Sequence, residues 1–82
     1  MDLTLKNINK LTLNTFDKVK KFVNIANSFE FGVDVMQGKY IVDGKSVMGM
    51  FSLNLTEPVT VVIDTNKLEE IREFNEKIRG FN

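Results

Sequence analysis

The sequence predicts one α+β domain over its 82 residues, a two-layer sandwich with elements in the order β-α-β-β-α-β-α. Three observations predict it. Two amphipathic stripes recur at helical spacing, near residues 16–26 and 68–81. The run Val59-Thr60-Val61-Val62-Ile63 is rich in β-branched residues and reads as a strand. Between them, two short apolar runs flank Gln37-Gly38, as in a hairpin.

In chain order, Leu3 and Leu5 alternate with Asp2, Thr4 and Lys6, the pattern of a half-buried strand. Residues 7–14 are polar and asparagine-rich, with Ile8, Leu11 and Leu13 interspersed, and read as a loop. Asn14 or Thr15 can cap the first helix. Phe16, Val19, Val23 and Ala26 form its apolar stripe, widened by Phe22. Val33 and Val35 start a second strand, Gln37-Gly38 turns it, and Tyr40-Ile41-Val42 returns. Asp43-Gly44 ends that strand. A short helix then runs from Ser46 to about Leu53, and Pro58 precedes the Val59 strand. Asn66 and Glu69 have capping-box spacing. Leu68, Ile71, Phe74, Ile78 and Phe81 make the last stripe, which Gly80 can end.

The short helix carries the main functional signal. At about 100° per residue, Val47, Met48 and Phe51 lie on one side and Met50 and Leu53 on the other. A surface helix buries one stripe, not two. Either it is sandwiched, with Leu11 and Leu13 as candidate covers, or it displays an apolar patch beside the serine that caps it. As N-cap, Ser46 would accept a backbone hydrogen bond, and phosphorylation would place about −1.5 to −2 charges next to Val47, Met48 and Phe51. The patch would then be a docking surface with a charge switch, and Met48 would suit adaptable packing against a partner.

Composition excludes several classes. Eleven basic and eleven acidic residues cancel, so no bulk field draws nucleic acid or an anionic membrane. Cysteine and histidine are both absent, which removes disulfides, thiolate chemistry and the usual structural zinc site. Gly38, Gly44 and Gly49 are too scattered for a phosphate-binding loop, so no cofactor and no metal are expected. Lys18, Lys20 and Lys21 read as solvated surface, as do Glu69, Glu70, Glu73 and Glu76, with Glu73 able to pair with Lys77. Phe16, Phe22, Phe29 and Phe31 read as core. The first residues show no signal-peptide pattern and no apolar run is long enough to span a bilayer, so a soluble cytoplasmic protein is expected.

The segment Lys45-Ser46-Val47-Met48-Gly49-Met50-Phe51-Ser52-Leu53 resembles the Lys-Ser-Ile/Leu-Met-Gly-Val-Met-Ser-Leu signature of the HPr family, small phosphocarriers of the phosphoenolpyruvate-dependent sugar phosphotransferase system. The order of elements agrees over nearly the whole chain. This resemblance implies an HPr-like open-faced sandwich, with a four-stranded antiparallel sheet and helices on one face. A ferredoxin-like split βαβ is the nearest competing fold.

In the family a histidine at the start of the first helix carries the phosphoryl group. Aligned without gaps on Ser46, that position is Thr15 here, the family's arginine falls at Asp17 and its proline at Lys18. A threonine phosphoester is far more stable than phosphohistidine, and Asp17 repels a phosphate where arginine would attract it. Thr15 and Asp17 are thus a degenerate phosphohistidine site, and the chain is expected to be neither a phosphocarrier nor an enzyme.

The resemblance implies that Ser46 is the surviving site, a target of HPr kinase/phosphorylase, with Lys45 able to offset part of the added charge. It also implies a catabolite control regulator or sugar-transport enzymes as protein partners, as for the catabolite-repression homologue that lacks the histidine and keeps the serine. The family's kinase and repressor also contact the region now occupied by Thr15 and Asp17. The expected assembly state is a monomer or a weak dimer. Two other classes of function compete: a phosphorylation-independent interaction domain and a small-ligand sensor.

Overall fold

The computed structural model describes residues 7–81. The strand expected around Leu3 and Leu5 lies outside the described residues. The elements are β1 (Ile8–Leu11), α1 (Phe16–Asn27), β2 (Val33–Gln37), β3 (Tyr40–Asp43), α2 (Val47–Phe51), β4 (Val59–Ile63) and α3 (Leu68–Ile78), followed by a 3₁₀ turn at Arg79–Phe81. One sheet in the order β1-β4-β2-β3 joins the strands, and every neighbouring pair is antiparallel. A ferredoxin-like sheet has its first and third strands at the centre. Here the second and fourth are central, which separates the two folds.

Register follows from alternation. Val35 lies between Val61 and Val42, and Val33 pairs with Ile63. This side of the sheet meets Val19, Phe22, Val23 and Ala26 of α1, Met50 of α2, and Ile71, Phe74 and Ile78 of α3 in one buried cluster. All three helices therefore cover the same face. The opposite face carries Ile8, Val62, Asp34 and Asp43 in one cross-strand row and Lys10, Thr60, Met36 and Ile41 in the next.

The loop expected over residues 7–14 is corrected: Ile8–Leu11 is a strand. Its polar residues hide it from pattern reading. Asn9 points to the helical side, where its side-chain amide donates to Asn75 Oδ1 of α3 at 2.8 Å, so a polar residue is tolerated beneath a helix. Leu11 and Leu13 are buried core, and the patch of Val47, Met48 and Phe51 that they were candidates to cover stays exposed.

The hairpin turns at Gly38-Lys39, one residue later than Gln37-Gly38 suggests, with Gly38 at φ 59°. A left-handed φ at the first of two central positions is what a type II′ turn demands of glycine. The expected capping box at Asn66 and Glu69 does not form. Lys67 is the N-cap of α3 and makes no side-chain cap bond. Instead the Thr65 hydroxyl donates to Glu70 Oε1 at 2.5 Å and accepts from the Lys67 amide at 3.1 Å.

Phe16 and Leu68 are exposed, contrary to their place in the predicted stripes. Each is the first residue of its helix. Helical side chains lean toward the N-terminus, so a first-turn residue projects past the layer beneath it.

Candidate functional site

The chain enters α2 through a tight series of bonds. The Gly44 amide donates to the Val33 carbonyl at 2.7 Å, and the Lys45 amide to Asp43 Oδ1 at 2.9 Å. A Cβ on Gly44 would sit 2.8 Å from Val33 Cγ1 and 3.1 Å from the Val33 oxygen, so only glycine fits this approach to β2. Ser46 follows in extended conformation and is half-buried. Its amide donates to the Asp43 carbonyl at 3.0 Å, and its carbonyl accepts from Met50 at 3.0 Å. Its hydroxyl oxygen accepts from the Gly49 amide at 3.1 Å. Ser46 is therefore the N-cap that its position predicts.

Lys45 is held from the other side. Its ammonium donates to the Phe29 carbonyl at 2.7 Å, while Asn27 Nδ2 donates to the Lys45 carbonyl and to the Val23 carbonyl, each at 3.0 Å. The end of α1 and the entry to α2 are thereby clasped together.

The helix ends at Phe51, short of the expected Leu53; Met50 on its inner side is fully buried, and Leu53, just past its end, is buried with it. Val47, Met48 and Phe51 are 40%, 85% and 37% exposed. Phe16, 60% exposed, stacks on Phe51 with ring centroids 5.1 Å apart and planes 23° from parallel. The Lys20 ammonium lies 5.4 Å from the Phe16 centroid. Phe16 is flanked in sequence by Thr15 and Asp17, so this stack joins the start of α1 to the exposed side of α2.

Thr15 is the N-cap of α1, its hydroxyl oxygen accepting from the Lys18 amide at 3.1 Å. Asp17 is exposed in the first turn. Lys18 donates from its ammonium to Asn14 Oδ1 at 3.2 Å. Sequence reasoning placed Phe16 in the core and so missed its part in this surface. The available signal was its position immediately after a capping threonine, where a helical stripe has outrun the sheet.

Among the described residues, no group of three or more Asp, Glu, His or Cys side chains could hold a metal ion. Nor is any described helix long and apolar enough to cross a membrane.

The strand order, with three helices on one face and a short serine-capped helix between the third and fourth strands, defines an HPr-like fold. Solved structures agree. HPr-C-His from Thermoanaerobacter tengcongensis superposes with a TM-score of 0.70 at 19% identity, covering 89% of this chain and 90% of that one. The histidine-containing phosphocarrier protein of a mycoplasma gives 0.67 at 11% identity, covering 89% and 92%. The phosphocarrier HPr of Bacillus anthracis strain Ames gives 0.62 at 19%, covering 85% and 93%. No family model matches the sequence, and no curated protein matches it. The relationship is therefore one of fold.

Proposed function

We propose that this chain is a regulatory interaction protein related to the sugar phosphotransferase system, that it does not carry phosphohistidine, and that phosphorylation at Ser46 switches its docking. The observation that carries this reading is the pairing of a capping hydroxyl with Val47, Met48 and Phe51 exposed beside it on an HPr-like fold. The sequence holds no histidine, so the phosphoryl relay of the structural relatives has no nucleophile here. In this reading Thr15 and Asp17 are the remnant of that site, and the protein acts in the cytoplasm, without catalysis, through protein partners. Those partners are HPr kinase/phosphorylase and either a catabolite control regulator or sugar-transport enzymes. The test is incubation with HPr kinase/phosphorylase and ATP, followed by peptide mass spectrometry. One phosphate on the peptide containing Ser46, absent from Ser46→Ala, is the expected result. An unmodified chain beside a modified control HPr refutes the switch.

One observation favours a second reading, a phosphorylation-independent docking domain. The Lys45 ammonium is engaged with the Phe29 carbonyl, and Asp43 lies three residues before Ser46 with its backbone bonded to it. A phosphate there would enter a turn that already holds the Asp43 carboxylate, bonded to the Lys45 amide at 2.9 Å. In that case the apolar surface of Val47, Met48, Phe51 and Phe16 binds its partner whether or not Ser46 is modified.

A further inference from the structure

On the flank of α1 opposite Phe16, a groove of about 430 Å³ opens between α1 and the 3₁₀ turn that follows α3. Ile25 and Phe81 form an apolar floor, and both pack against the core while remaining half-exposed. Phe81 is fixed edge-on to the buried Phe22 ring, with centroids 6.4 Å apart. Lys18, Lys21 and Lys77 line the groove, and among the described residues no carboxylate does. Among the described residues, Lys77 is the one of the three that forms an ion pair, with Glu73 at 3.9 Å, and both of those side chains are well exposed. The chain has no net charge, yet this groove is locally basic over an apolar base.

We infer that the groove between α1 and the end of α3 is a second docking site, separate from the Ser46 surface, for an acidic peptide segment that presents an apolar side chain. The charge selects the acids, and the Ile25–Phe81 floor selects the apolar anchor. A long polyanion fits poorly. Glu69, Glu73 and Glu76 stand on the neighbouring exposed face of α3 and would repel a phosphodiester backbone running past the groove. A compact anion would leave much of itself in water, because the groove is open to solvent. An extended segment can seat one side chain on the floor and set flanking carboxylates against the lysines.

The test uses the full chain, labelled with ¹⁵N, and a short peptide in which one phenylalanine is flanked by glutamates. Saturable amide shifts should centre on Lys18, Lys21, Ile25, Lys77 and Phe81. Alanine in place of the phenylalanine, or Lys18→Glu with Lys21→Glu, should weaken binding at least about tenfold, roughly 1.4 kcal/mol. Lys39→Glu, in the hairpin turn, should leave it unchanged. Retained spectral dispersion shows that each variant is folded. Absence of saturable shifts overturns the inference, as does equal binding of a matched lysine-flanked peptide. Shifts centred instead on Val47, Met48 and Phe51 also overturn it, while leaving the Ser46 reading intact.

Discussion

Ser46 gives the most direct test of how the short helix is held. Ser46→Ala removes the acceptor that satisfies the Gly49 amide, a bond of 3.1 Å. Loss of an N-cap costs roughly 0.5–2 kcal/mol, with about 1 typical. The five-residue length of α2 places the expected cost in the upper half of that range, because few other intrahelical bonds share the load. The ceiling is set by Met50, which is fully buried and would lose about 2 kcal/mol more if the helix frayed completely. Each kcal/mol lowers the melting temperature of a domain this small by about 4–8 °C. Ser46→Asp restores an oxygen acceptor and should return stability to within about 0.5 kcal/mol of the parent. Urea and thermal melts followed by circular dichroism measure both. If alanine is neutral, the cap does not hold α2; if aspartate destabilises as much as alanine, the physical basis for tolerating a charge there fails.

Other expectations follow from the same contacts. Gly44→Ala drives a Cβ to 2.8 Å from Val33 Cγ1 and should cost about 1–3 kcal/mol in urea melts, against near neutrality for Gly80→Ala, where nothing lies within 4 Å. Phe16→Ala should cost under about 1 kcal/mol, since the ring is largely exposed, whereas Phe74→Ala, fully buried, should cost about 3–5 kcal/mol. If Phe16 belongs to the docking surface, its variant should lose partner binding in a pull-down while melting almost normally. Thr15→His should remain a poor phosphoryl acceptor from the phosphotransferase system's phosphohistidine donor. Adding Asp17→Arg should raise its labelling roughly tenfold at low salt, the effect of reversing one exposed charge close to the phosphate.

The parts of the fold legible in the sequence are those whose pattern is local. Val59–Ile63 alternates buried and half-buried residues along a β-branched run, and α1 buries Val19, Phe22, Val23 and Ala26 as its spacing requires. The Ser46 helix was legible because two apolar stripes on so short a helix cannot both be buried. Ile8–Leu11 was not. It is a strand only through its pairing with Val59–Val62, and its inward Asn9 is satisfied by an asparagine 66 residues away. The candidate site was half legible in the same sense. Ser46 declares itself through its neighbours, but Phe16 meets Phe51, and Lys45 meets Phe29, only once the sheet has brought α1 alongside α2.

That closure separates what the architecture requires from what phosphoryl carriage requires. The clasp between Asn27, Lys45 and Phe29 and the capped turn into α2 are built from residues away from the head of α1. In the proposed reading, carriage would need a nucleophile and a cation at the start of α1, whereas that end holds a capping threonine, Thr15, and an acid, Asp17. Between them Phe16 stacks on Phe51 and joins the head of α1 to the exposed apolar side of α2. A charge added at Ser46 would border this larger surface, not Val47 and Met48 alone. A functional switch should therefore act on Phe16-dependent and Met48-dependent binding together. Partner binding that is lost in Met48→Ala but indifferent to both Phe16→Ala and Ser46→Asp would show that the two helices do not share one interface.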